Sequence, residues 1–251
     1  MLKPYIQQQF TGQIWKLLID PVKELLFVET RDTENRIVSF SGFDMNTGTG
    51  NFLNISLDEK WLTGIEDCFN NVLFLHGYQS TQSPVHKGIT AIDSATGNIL
   101  WSNYNYAINH ISVSGPVAYN TQIQPKKLFV LHAQNGAALR PFNASVDKDI
   151  DQNIVLPHVV ETLDTGMKQH FEGDKTGIIH YIEYNSFRIV SLHTLVNTRL
   201  SQVLLIMQGN NLVYRDLLND EIQKLQPEAF IMQQNRLIYI KNKVELKVLN
   251  L

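Results

Sequence analysis

A short pattern, apolar-Asp-x-x-Thr-Gly, occurs twice and constrains the fold of this chain more than any other feature. It reads FDMNTG at 43–48 and IDSATG at 92–97, with Asp93 standing 49 positions after Asp44. The physical content of the pattern is a turn. An Asp carboxylate accepts backbone N–H groups from the residues that follow it, Gly supplies a positive φ, and Thr-Gly closes a hairpin into the next strand. A weaker third copy, LHAQNG at 131–136, has His132 and Asn135 in place of Asp and Thr. TGQIW at 11–15 matches part of TGNILW at 96–101. LHTLVN (192–197) and YRDLLN (214–219) are more degraded copies, with Asn where Gly stood; Asn is the next-best residue for a left-handed position.

Strand signals dominate the rest. ELLFVET, NVLFLHG, KLFVLHA, IIHYIEY, VLLIMQG and RLIYIKN are short apolar runs, rich in branched or aromatic residues and ended by polar or turn residues. The final segment AFIMQQNRLIYIKNKVELKVLNL predicts three strands with tight turns at Gln234-Asn235 and Asn242-Lys243. In its last strand Val244, Leu246 and Val248 alternate with Glu245 and Lys247, which are therefore expected to face water. Residues 57–69 and 219–230 have room for a helical turn or two, interrupted by Gly64 and Pro227, with plain loops as the alternative. Repeats of about 40–50 residues built from small antiparallel sheets predict an all-β fold, a β-propeller. About five or six four-stranded blades are expected in one domain over 1–251. Residues 138–175 fit the repeat least and read as a divergent or inserted region. Segments 11–19 and 244–251 are the expected closing pair, which would cover exposed sheet edges.

Composition narrows the function. With 21 Lys and Arg against 24 Asp and Glu, the formal charge is −3. That balance gives no basic excess for nucleic acid or an anionic membrane. Cys68 is the only cysteine, so no intrachain disulfide and no zinc site on paired cysteines is available. The N-terminal stretch MLKPYIQQQF carries no signal-peptide core and no run is long enough to span a bilayer. A cytoplasmic protein is expected, or a periplasmic one if a leader has been removed.

The pattern apolar-Asp-x-x-Thr-Gly-x-x-apolar-Trp resembles the repeat of quinoprotein-like (PQQ-like) β-propellers. Asp93, Thr96, Gly97 and Trp101 match it best. Asp44, Thr47 and Gly48 match as well, with Phe52 or Leu53 where Trp is usual. The chain also resembles small bacterial families of unknown function. The resemblance implies a propeller whose repeat turns are structural and are shared with non-catalytic scaffolds. The quinone-dependent dehydrogenases of that group are longer, periplasmic, calcium-bound and commonly carry adjacent disulfide-bonded cysteines. On this short chain with a single Cys, no quinone cofactor is expected.

Several residues bear chemistry. Asp147, Asp149, Asp151 and Asn153 alternate as at the start of an EF-hand loop, but Gln152 stands where Gly is needed and His158 where Glu is needed. His158, Glu161, Asp164, His170, Glu172 and Asp174 fall within one 17-residue stretch. Of these, His158, His170, Glu172 and Asp174 are the expected ligand or divalent-metal residues; a solvated polar rim is the plainer reading. His76, His132, His180 and His193 lie in or beside strands and are expected to satisfy backbone groups, with a ring of imidazoles as the alternative. Trp15, Trp61 and Trp101 are expected to pack between blades. GDKTG at 173–177 lacks the context of a phosphate loop. The expected function is a non-catalytic scaffold or module that binds a protein or peptide. The alternative is a hydrolase or lyase for a carbohydrate or small polar substrate, with carboxylates converging on the channel.

Overall fold

The computed structural model describes residues 2–162, 165–227 and 229–251 apart from Pro21, and the backbone alone of Thr165. Among them the chain is all-β, with five antiparallel sheets and one short 3₁₀ turn, Thr165–His170. Strand β1 is Ile6–Gln9. The next twelve strands form three consecutive four-stranded meanders. The first is β2 (Gln13–Asp20), β3 (Leu25–Asp32), β4 (Ile37–Asp44) and β5 (Thr49–Ile55). The second is β6 (Thr63–Phe69), β7 (Val72–Ser80), β8 (Ser83–Asp93) and β9 (Ile99–Asn103). The third is β10 (Tyr106–Ser112), β11 (Gly115–Asn120), β12 (Leu128–Leu131) and β13 (Ala138–Pro141). The short β14 (Ile154–Val155) precedes a five-stranded meander of β15 (His158–Val160), β16 (Asp174–Tyr184), β17 (Phe187–Val196), β18 (Arg199–Gln208) and β19 (Asn211–Asn219). Strands β20 (Ile231–Gln233), β21 (Arg236–Lys241) and β22 (Glu245–Asn250) complete the fifth sheet, in the order β1-β22-β21-β20-β14.

Contacts divide the chain into two compact units, Gly12–Gln152 and Met1–Thr11 with Asn153–Leu251. The boundary falls inside the 138–175 region that fits the repeat least.

In the unit 12–152 the sequence pattern closes the last hairpin of each meander. Asp44 Oδ1 accepts the N–H groups of Asn46 and Thr47 at 2.7 and 3.2 Å, and Asp93 Oδ1 those of Ala95 and Thr96 at 3.0 and 2.8 Å. The N–H groups of Gly48, Gly97 and Gly136 reach back to the carbonyls of Asp44, Asp93 and His132 at 2.9, 2.8 and 2.9 Å. All three glycines have φ between 70° and 75°. The weak third copy therefore makes the same turn.

The glycines also serve packing. A Cβ on Gly97 would lie 2.9 Å from Phe52 Cβ, and one on Gly136 would lie 2.7 Å from the Trp101 ring. Phe52 and Trp101 each stand eight positions after the Asp of their own repeat. Each lies on the turn glycine of the following meander, and Trp101 Nε1 also donates to Ala133 O at 2.7 Å. Phe52 thus takes the place expected for Trp. Between the first two meanders Leu18, Phe27, Phe40, Phe52, Leu73, Leu75 and Ile92 form one core, and Val72, Phe74, Ile89, Ile108, Ala118 and Leu131 form the next.

In the other unit, Ile182, Ile189, Leu204, Ile206, Met232, Leu237 and Leu249 join two sheets. Asp216 is buried there beside this apolar cluster. It accepts hydrogen bonds from Tyr239 Oη (2.8 Å), Lys241 Nζ (2.6 Å) and Lys247 Nζ (2.7 Å). Lys247 is consequently buried, contrary to its alternation in the sequence. Burial raises the Asp216 pKa, and the two lysines and Tyr239 outweigh it, holding the carboxyl below its usual range.

Four further expectations are corrected. The strand beside β22 is Ile6–Gln9, with Ile6 opposite Val248, while 13–20 pairs with β3. The segment 57–69 supplies strand β6 from Thr63 onward, whereas 220–227 is irregular after β19, in keeping with the alternative of a loop there. Trp15 lies exposed over Arg31 rather than between sheets. Asn197 adopts the left-handed conformation expected of it, whereas Asn219 ends β19.

Gly97→Ala and Gly136→Ala combine a positive φ with a collision against a neighbouring sheet. Each is expected to cost about 2 kcal/mol in urea denaturation. Gly166→Ala, where a Cβ meets nothing within 4 Å, is expected to leave stability within about 0.5 kcal/mol.

Candidate functional site

Strand β6 is bent by a bulge. Ile65 pairs with Leu75 and Asp67 with Phe74, which leaves Glu66 as the extra residue. The bulge is held from the neighbouring meander. Glu29 Oε2 accepts the Ile65 N–H at 2.8 Å, and Lys16 Nζ donates to the carbonyls of Ile65 and Glu66 at 2.9 and 3.2 Å. Glu29 is in turn fixed by Arg31 Nε at 2.8 Å. The consecutive carboxylates Glu66 and Asp67 then enter two different environments.

Asp67 enters a cavity of about 330 Å³ at the end of the first strands of the three meanders. Its walls are mainly apolar, with Ile19, Phe69, Ile111 and Ile150 among them, and Val22 and Val113 lie 70% and 55% exposed at its edge. Burial pushes the Asp67 carboxyl up to about 6 despite a hydrogen bond from the Cys68 N–H. The Cys68 thiol is also pushed up by burial, which keeps it protonated. Asp20 Oδ1 caps the turn after β2 by accepting the N–H groups of Val22 and Lys23, each at 3.0 Å. Its Oδ2 is buried without a hydrogen-bond partner.

Glu66 meets two histidines instead. His76 lies on β7 and His86 on β8. Between them the register shifts again, with His76 opposite Ile89 and Gly77 opposite Lys87. Gly88 is the extra residue, at φ +82°. The two imidazoles stack 3.6 Å apart and within 5° of parallel, with Tyr78 edge-on to both. Glu66 Oε2 is 2.8 Å from His76 Nδ1 and 2.7 Å from His86 Nδ1. Burial raises the Glu66 pKa, and its contacts with the two imidazoles outweigh that, leaving it below the usual value. His76 is almost fully buried; its Nδ1 faces Glu66 and its Nε2 makes no hydrogen bond. Among the described residues this is the one group of three or more His, Cys, Asp or Glu side chains whose donor atoms converge as metal ligands do.

Near this cluster Arg31 lies between the Trp15 and Trp61 rings, 5.4 and 5.3 Å from their centres. Its Nη2 donates to Thr63 O at 2.9 Å. Arg31 and Trp61 border a shallow groove closed by Tyr78 and residues 80–84.

The residues expected from sequence lie apart from these features. Asp44, Thr47, Gly48, Asp93, Thr96, Gly97 and Trp101 are occupied with turns and sheet packing, as described. His158 and Asp174 are exposed on β15 and β16, His170 ends the 3₁₀ turn, and Glu172 is exposed. None of these four joins the convergent donor group. Asp164 lies outside the described residues. Asp147 is gripped by both Arg140 Nη atoms, at 2.8 and 2.5 Å, with Asn143 N–H at 2.8 Å, and Asp149 faces solvent. His132 is exposed within its turn.

His180 and His193 do satisfy backbone groups, by clasping the segment after β19. His180 Nε2 donates to Pro227 O at 3.0 Å, and His193 Nε2 accepts the Gln226 N–H at 3.0 Å. Burial lowers both pKa values; the Pro227 carbonyl partly restores that of His180, and the charge of His180 lowers that of His193 further.

Residues 19–101 match the family model of a domain of unknown function, DUF4905. That span includes the Asp44 and Asp93 turns and the whole Glu66–His76–His86 group. No curated protein matches the chain. Among solved structures it is similar to the Dos1 propeller, at 11% identity and a TM-score of 0.32, covering 99% of this chain and 95% of that one. It is also similar to a bifunctional GH43-CE protein of Bacteroides eggerthii, at 8% identity and a TM-score of 0.28, covering 100% of this chain and 36% of that one. Likenesses this weak carry no argument. No helix among the described residues is long and apolar enough to cross a membrane.

Two pH effects follow. For Asp67 the folded state holds a proton between the usual carboxylate pKa and about 6, where the unfolded chain has lost it, so stability falls as pH rises through that window. Asp67→Asn is therefore expected to stabilise the protein by about 2 kcal/mol at pH 7.5 and by little at pH 4, measured by thermal melts. The lowered histidines act at the other end. Below about pH 6.5 the unfolded chain takes up protons that folded His180 and His193 refuse. Stability is lost on acidification from there, and His193→Gln should flatten the melting temperature measured between pH 7.5 and 5.5.

Proposed function

We propose that this chain is a binding module on a β-propeller scaffold, its five sheets acting as blades and its turns forming a quinoprotein-like repeat. The linkage of successive meanders through Phe52 and Trp101, and the pairing of Ile6–Gln9 with the C-terminal strand, support that architecture. The same reading places it in the cytoplasm, where its single buried thiol stays reduced.

The observation that carries the binding function is the apolar cavity at the ends of β2, β6 and β10. Val22 and Val113 stand exposed at an opening backed by Ile19, Ile111 and Ile150, an arrangement suited to receiving an apolar anchor from a partner. The free Oδ2 of Asp20 gives a buried acceptor for a backbone N–H of the bound segment. The partner is accordingly a protein or peptide presenting a large apolar side chain. The three other buried acids among the described residues serve the scaffold: Glu29, Asp147 and Asp216 are each saturated by cationic and backbone donors.

One observation favours a second reading. Asp67, with its pKa near 6, and Asp20 border the same cavity, and paired carboxylates in unlike environments suit acid–base hydrolysis of a small polar substrate.

Panning a displayed random-peptide library against the whole chain separates the two. The expected result is a consensus with one large apolar position, whose capture is lost with Val22→Glu or Val113→Glu and kept with Trp15→Ala. No consensus, or capture indifferent to those changes, overturns the binding reading. Turnover of a panel of nitrophenyl glycosides that disappears in Asp67→Asn, a variant expected to be more stable, would establish the second reading.

A further inference from the structure

We propose that Glu66, His76 and His86 form a site for a divalent transition-metal cation of the zinc class. The three side chains come from adjacent strands of one sheet, and regular pairing would not bring them together. The bulge at Glu66 and the second at Gly88 turn them onto one spot, and bulges re-aim side chains in this way beside functional sites. Space is left for the arrangement as well: a Cβ on Gly64 would lie 3.1 Å from His76 Nε2.

An ordinary hydrogen-bonded cluster accounts for this poorly. One carboxylate oxygen must serve the Nδ1 atoms of both rings, at 2.8 and 2.7 Å, and His76 Nε2 makes no hydrogen bond although the residue is only 5% exposed. A buried polar group left so costs free energy. A metal ion between the Nδ1 atoms and Glu66 Oε2 would give the three convergent donor atoms one common partner. Two imidazoles and one carboxylate suit zinc, cobalt or nickel rather than calcium or magnesium, which prefer all-oxygen sets. The side chain of His86 is 36% exposed, so a fourth position is open to water or a ligand, as in exchangeable rather than closed structural sites.

The test is titration of the chelator-treated whole chain with Zn²⁺ by calorimetry and with Co²⁺ by visible absorption. One ion per chain is expected, with cobalt bands of a low-coordinate site and no competition from excess Mg²⁺. His86→Asn and Glu66→Gln should each weaken binding by more than about tenfold with near-ultraviolet circular dichroism unchanged, and His158→Ala should leave it intact. Absence of saturable binding overturns the proposal, as does binding that survives both ligand changes or that is lost with His158→Ala. Peptide capture at the apolar cavity is measured on the same variants, so failure of the metal site and failure of the binding reading are told apart.

Discussion

The clamp that Lys16 and Glu29 place on the β6 bulge is the interaction on which both candidate sites depend. A bulge leaves backbone groups out of the ladder, and in a buried strand those groups need partners. Here the partners come from the preceding meander, an ammonium for the carbonyls of Ile65 and Glu66 and a carboxylate for the N–H of Ile65. Glu29 can be buried because Arg31 neutralises it, and Arg31 is itself spent on Thr63 O and two indole faces. One polar network thus keeps an irregular backbone in place and sends Glu66 and Asp67 in separate directions.

Around that network the joining of one meander to the next is mostly apolar and repetitive. Phe52 on Gly97 and Trp101 on Gly136 are the same contact made twice with different aromatics. The glycine is doubly determined, by its positive φ and by the ring against it. A turn residue that also serves as a packing surface ties local chain reversal to tertiary position, and this explains why the motif tolerates loss of Asp and Thr in the third copy while Gly136 remains.

What was legible in the sequence was what local chemistry decides. The Asp-Thr-Gly turns, the tight turns at Gln234 and Asn242 and most strands depend on residues a few positions apart. The misses share a cause. Lys247 is buried because Asp216, 31 positions earlier, accepts its charge. The IQQQ strand has no apolar alternation, since as an edge strand it is held by backbone pairing with β22 and by the buried side chains of its first residue, Ile6, and of Phe10 just after it. The alternating acids at 147–151 begin like a cation loop that Gln152 and His158 already break, and what the sequence does not show is that Asp147 is engaged by Arg140. The Glu66–His76–His86 group was hidden because two register shifts assemble it, and period-2 patterning is blind to a bulge. Its signals were Gly64 and Gly88 inside strands, where glycine marks bulges and close approach.

The same logic ranks the buried polar groups of the chain. Asp216, Asp147 and Glu29 are surrounded by donors whose number matches their acceptors, so they stabilise one arrangement and leave nothing over for a ligand. Unmatched buried atoms are spread over both units: Nδ1 of His180 and His193 and the Gln233 amide in one, Asp20 Oδ2 and His76 Nε2 in the other. An unmatched group of this kind costs about 1–3 kcal/mol, so its presence alone does not mark a site. Asp20 Oδ2 and His76 Nε2 differ in their surroundings: the Asp20 carboxylate borders an apolar cavity, and the His76 ring stacks on a second imidazole with a carboxylate between their Nδ1 atoms. What singles out this part of the molecule is that open valences and an irregular backbone are joined there by a cavity and by convergent donor atoms.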